Sequence, residues 1–129
     1  MARRSIEVPG LHHGGVPIPQ ACVVGDLLVS SAISPLDPDS GVVPTDVAKQ
    51  VEVAFANVRR VLDAAGGSTA DVVRCTVLVA DKAIRPVVDE HWLLMFPDPT
   101  SRPARHTSRI DLPPTLHLQL EITAVLGEG

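Results

Sequence analysis

The feature that most constrains this chain is a stripe of apolar side chains that follows Thr45. It runs through Val47, Val51, Ala54, Phe55, Val58, Val61, Leu62 and Ala65, while Lys49, Gln50, Glu52, Asn57, Arg59, Arg60 and Asp63 fill the other side. Spacings of three and four predict one amphipathic helix whose apolar face must be buried against something else. Thr45 is a suitable N-cap, and Gly66-Gly67 supplies the positive φ that ends helices.

The covering surface is predicted to be a sheet. Residues 20–24 and 27–31 are short apolar runs separated by Gly25-Asp26, the pattern of a tight hairpin. Asp71 to Ala80 is β-branched and mostly apolar, as an interior strand is. A second helix is expected after Pro86, with Val88, Trp92, Met95 and Phe96 on its apolar face and Pro97-Asp98-Pro99 as its stop. Arg105 to Ile110 reads as a strand. In the last strand Leu116, Leu118, Leu120, Ile122 and Ala124 alternate with His117, Gln119, Glu121, Thr123 and Val125. The order predicts an α+β domain: a single mixed β-sheet with both helices packed on one face. The other face is expected to carry Ser31, Arg74, Thr76, Thr107, Arg109, His117, Gln119 and Glu121, with His106 turned toward the helices.

Length and composition narrow the function. At 129 residues the chain is expected to be one domain over 1–129, with 1–16 as an extended N-terminal segment. Eleven basic against 15 acidic residues give a formal charge of −4, and three aromatic rings leave no stacking platform, so nucleic acid is a poor partner. Cys22 and Cys75 form no disulfide framework and no metal knuckle. No secretory signal and no apolar run of ~18 residues is present, so no membrane span and a cytoplasmic location are expected.

Among polar residues, Arg105 follows the stiff Arg102-Pro103-Ala104 stretch, and a guanidinium aimed into a cleft can grip a carboxylate with two parallel bonds. Pattern alone favours a solvated arginine at a strand end. His117, Gln119 and Glu121 project from one strand face and could hold a general base beside an orienting amide, or form a wetted sheet face. His12-His13 has no HxH, HxxxH or HExxH spacing, so no metal is expected. Neither Ser30-Ser31 nor the Gly-Gly pairs match a hydrolase elbow or a phosphate loop.

In one collinear register from about Pro17 to Val125 the sequence resembles the RidA family, also called YjgF or L-PSP. The segments that carry this are Pro17-Ile18-Pro19-Gln20-Ala21, Leu28-Val29-Ser30-Ser31, Pro38-Asp39-Ser40-Gly41, the helix stretch Asn57 to Gly66, Asp71 to Val77, Pro103-Ala104-Arg105, Leu112-Pro113 and Leu118 to Ile122. The resemblance implies a chorismate-mutase-like fold and a homotrimer with sites between subunits. It also implies hydrolysis of 2-imino or 2-enamino acids to 2-keto acids and ammonia, with no metal or organic cofactor. It assigns Arg105 to the substrate carboxylate.

Four positions depart from the family pattern: Ile18 stands for the usual Tyr, Ser31 for Gly, Asp89 for Asn, and Gln119 for Glu. A Gln amide can hydrogen-bond a water but cannot accept its proton at neutral pH. The stretch between Arg105 and Leu112 is one residue short, and placing that gap later brings Glu121 nearer the role of the missing carboxylate. The expected site therefore has Arg105 as carboxylate clamp, with Ile18 and Asp89 as further substrate contacts. Ser31, Thr107 and Gln119 orient substrate and water, and His117 or Glu121 is a substitute base. Three alternatives remain open: a small-carboxylate-binding trimer without turnover, an enzyme acting on a more apolar imine or enol, and the endoribonuclease or translation-inhibitor activity that the resemblance also implies. The acidic balance and few aromatic rings disfavour the last.

Overall fold

The computed structural model describes residues 2–127. Six strands form one sheet in the order β1-β2-β3-β6-β4-β5. They are β1 (Arg4–Ile6), β2 (Ala21–Val24), β3 (Leu27–Ser30), β4 (Val72–Val79), β5 (Ala104–Arg109) and β6 (Leu118–Val125). Every neighbouring pair is antiparallel except β4 and β5, which are parallel and joined through a helix. Helices α1 (Val47–Ala65) and α2 (Arg85–Met95) cover one face. The mixed sheet with two helices is the expected architecture.

The apolar stripe of α1 accounts for the core. Val51, Ala54, Val58, Val61 and Leu62 are fully or almost fully buried, as are Val77, Val79, Leu118, Leu120, Ile122 and Ala124 on the sheet. The hairpin forms around Gly25, whose φ of 61° is the left-handed conformation its tight turn requires. Gly66, at φ 80°, ends α1 and donates its N–H to the Asp63 carbonyl. Pro86 lies in the first turn of α2, where a missing N–H costs nothing.

Four sequence expectations are corrected. The N-cap of α1 is Asp46, not Thr45: its carboxylate accepts the Lys49 N–H at 3.0 Å. The N-terminal segment is not wholly irregular, because Arg4–Ile6 adds an edge strand to β2 and buries Ile6. The last strand begins at Leu118, leaving Leu116 and His117 before it, although its alternation is as expected. The phase of β5 is reversed. Arg105 and Thr107 register with Cys75 and Val77, both buried on the helix side, whereas His106 registers with Thr76 and is exposed. Residues directly paired across strands share a face. Arg105, Thr107 and Arg109 thus belong to the helix side of this edge strand, and His106 to the open face.

Candidate active site

Arg105 is held by three side chains, two on α2 and one on its own strand. Its Nη1 lies 2.8 Å from a carboxylate oxygen of Asp89 on α2, and its Nε donates to the Thr107 hydroxyl at 3.1 Å. Its guanidinium carbon stands 5.2 Å from the centroid of the Trp92 ring, one turn along α2 from Asp89. The Arg105 side chain is 17% exposed against 56% for Asp89, so the charge sits in a recess with its partner at the rim. Arg102 fixes the approach to this strand by donating to the carbonyls of Phe96 and Pro97, at the end of α2. The chain folds this way because α2 must bury Val88, Trp92 and Met95, and doing so sets Asp89 and Trp92 against the edge of β5. A planar guanidinium fixed in this way has the chemistry to grip a carboxylate with parallel N–H bonds.

Behind it lies the Cys75 thiol. Burial raises its pKa from the ordinary 9.0 to about 12, only partly offset by the nearby Arg105 charge. A thiol raised in the folded state contributes its stability in full below the unfolded pKa and loses it as pH rises toward 12, because the unfolded chain sheds that proton first. Stability is therefore expected to fall by up to ~1.4 kcal/mol per pH unit above pH 9 through this group. Chemical denaturation of wild type and Cys75→Val at pH 8 and pH 10.5 checks it: the variant should lose distinctly less between the two.

The remaining expected site residues lie elsewhere. Ile18, 44% exposed, lines a surface cavity of about 400 Å³ with Leu11, His12, His13 and Val16. Ser31 donates its hydroxyl to the Pro19 carbonyl at 2.8 Å, and His13 Nε2 lies 3.0 Å from the Ala32 carbonyl oxygen, tying the two loops together. Gln119 donates to the Ser34 hydroxyl at 3.1 Å. Glu121, paired with Thr76 across the strands, lines a shallow open-face hollow with Arg74 and Thr123. His117 precedes β6, and its backbone N–H donates to the buried Gln50 amide oxygen at 2.9 Å.

The expected residues thus form two groups. Arg105, Thr107 and Asp89 come together on the helix side; Gln119 and Glu121 face away from the helices, with Ser31 and Ile18 beyond them on the loops. Sequence reasoning read Trp92 as a core residue only; its place under the guanidinium has no signature in spacing. Ser34, which holds Gln119, has no signature in the sequence either, and His13, weighed there only as a metal ligand, instead ties the Ile18 loop to Ala32.

A six-stranded mixed sheet bearing two helices is the fold of RidA/YjgF proteins. The family model described as Endoribonuclease L-PSP matches residues 16–126, and the chain belongs to that family. It is 31% identical over 111 residues to the 2-iminobutanoate/2-iminopropanoate deaminase of Escherichia coli K12, covering 84% of this chain and 87% of that protein. Among solved structures it superimposes on YyfA of Yersinia pestis, a Rid family protein, with a TM-score of 0.88 and 27% identity over 97% of this chain and 100% of the other. It also superimposes on Escherichia coli TdcF with bound serine at a TM-score of 0.86, with 26% identity over 96% and 99% of the two chains. No described helix is long and apolar enough to cross a membrane.

Proposed function

We propose that this protein is a 2-imino or 2-enamino acid deaminase that works as a homotrimer, with each site shared between two copies. Water adds to C2 of the imine, the C–N bond breaks, ammonia leaves, and C2 becomes the carbonyl of a 2-keto acid. No metal or organic cofactor enters this scheme. Arg105 holds the substrate carboxylate, supported by Thr107 and bordered by Asp89. Gln119 orients the attacking water, and Glu121 or His117 receives its proton. Ser31 and Ile18 bound the substrate side chain, and the cytoplasm is the expected compartment.

The observation that carries this reading is the guanidinium fixed between Asp89, Thr107 and Trp92, in a chain 31% identical to a named deaminase. TdcF with bound serine supports a small carboxylate as ligand. Two features support sharing between copies. Within one chain Arg105 and Gln119 lie on opposite faces of the sheet, so a second copy is needed to bring such groups together. The open face also exposes Leu27, Val29 and Val125 at 44–46%, an apolar patch suited to a subunit contact.

The test generates an imino acid with an amino-acid oxidase and measures ammonia release with and without the protein. Faster release, from a species with three times the chain mass by light scattering, is expected. Release at the oxidase rate alone would overturn the reading. The loss of the usual glutamate at Gln119 favours one rival, a carboxylate-binding trimer without turnover. It predicts 2-keto acid binding by calorimetry with no acceleration, and activity gained in Gln119→Glu.

A further inference from the structure

Of the side chains against the Arg105 guanidinium, all but one are neutral. Thr107 offers a hydroxyl at 3.1 Å, Trp92 a ring at 5.2 Å, and Cys75, behind it, a buried thiol. The exception is the Asp89 carboxylate, 2.8 Å from Nη1. The pair carries no net charge, so a protein anion already answers the cation assigned to the substrate carboxylate. Thr107 and Trp92 hold the guanidinium from two other directions, and its position therefore does not depend on Asp89 alone.

An incoming carboxylate can meet this pair in two ways. At the Nε and Nη2 edge it displaces the Thr107 hydroxyl and leaves Asp89 on the far side of the same guanidinium. Two anions then share one cation, and they repel across a recess that screens them less than bulk water does. At the Nη1 and Nη2 edge the ligand displaces Asp89 and breaks an ion pair already made. Both routes lower affinity, and neither depends on what the ligand carries beyond its carboxylate. A second negative charge on the ligand adds to the repulsion by either route.

We propose that Asp89 is a specificity-determining residue that acts as an internal competing anion, weakening the hold of Arg105 on every carboxylate and most of all on dianions. The site thereby selects 2-imino acids with uncharged side chains and releases their 2-keto acid products readily. This rests on the deaminase reading above and goes beyond it by assigning the charge class of the substrate. The side-chain exposures fit the role: Arg105, 17% exposed, stays in the recess, whereas Asp89, 56% exposed, stands at the rim past which a ligand enters.

The experiment compares wild type, Asp89→Asn, Asp89→Ala and Arg105→Ala by calorimetry with pyruvate, which carries one negative charge, and 2-ketoglutarate, which carries two. Removing the Asp89 charge is expected to tighten pyruvate about three- to tenfold, and 2-ketoglutarate at least about twofold more than that. Raising the ionic strength should shrink the gap between wild type and both Asp89 variants. If Asp89 served only to orient Arg105, its loss would instead weaken both ligands. The inference is overturned if the Asp89 variants bind pyruvate no tighter than wild type, or gain no more for 2-ketoglutarate than for pyruvate, while Arg105→Ala abolishes binding. If wild type binds neither ligand, or Arg105→Ala binds pyruvate as well as wild type does, the carboxylate clamp has failed, and the deaminase reading and this inference fall together.

Discussion

Arg105→Ala is expected to reduce imine-dependent ammonia release at least about a hundredfold and to abolish measurable pyruvate binding. Two charge-assisted hydrogen bonds to the substrate carboxylate are lost together, each worth roughly 1.5–3 kcal/mol, and tenfold in rate corresponds to about 1.4 kcal/mol. Folding should be little affected. The pair with Asp89 is half exposed, and such pairs contribute about 0–1 kcal/mol. The contact with the Trp92 ring adds about 0.5–1 kcal/mol at a site of this kind. A melting temperature within a few degrees of wild type, with activity gone, separates loss of the ligand clamp from loss of structure. Arg105→Lys keeps the charge but not the planar fork, so it is expected to recover only part of the binding. Full activity in Arg105→Ala would remove the carboxylate clamp from the mechanism.

What could be read from the sequence follows from how strongly each segment's two sides differ. In α1 and β6 one side is mostly Val, Leu, Ile and Ala, so the apolar part of each buried face follows from spacing. Gln50 and Asn57, expected on the polar side of α1, are nevertheless fully buried because their amides bond loop carbonyls. Strand β5 gives no such signal. Its residues, Ala104, Arg105, His106, Thr107, Ser108 and Arg109, contain no large apolar side chain, and only parallel pairing with β4 decides which way they point. That is why Arg105 could be singled out by its motif while its neighbours His106, Thr107 and Arg109 were expected on the wrong faces. Strand β1 escaped notice for a related reason: three residues with one inward side chain, Ile6, are too few to show a period. The polar contacts around the site belong to tertiary structure alone. Nothing local in the sequence links Gln119 to Ser34, 85 positions away, or Gln50 to His117, 67 positions away.

Gln50 carries the largest expected effect on stability. It projects from the first turn of α1, is fully buried, and uses its whole amide group. Its nitrogen donates to the carbonyls of Pro44 and Thr115, both at 2.7 Å, and its oxygen accepts the His117 N–H at 2.9 Å. One side chain thus pins the loop entering α1 to the turn entering β6. Gln50→Leu keeps the approximate volume but strands two carbonyls and one N–H, and each unsatisfied buried group costs about 1–3 kcal/mol. A loss of roughly 3–6 kcal/mol is expected, a large share of the 5–15 kcal/mol that holds a domain of this size together. Lys49→Ala, at the preceding position, should change stability by less than about 0.5 kcal/mol, because its 3.2 Å pair with Glu52 is more than half exposed. Urea denaturation of the two variants makes the comparison, with equal stabilities counting against a structural role for the buried amide. The amide also fixes the backbone from which β6 starts. Where Gln50→Leu remains folded, Gln119 should lose its fixed register, and deaminase activity should fall further than the folded fraction alone requires.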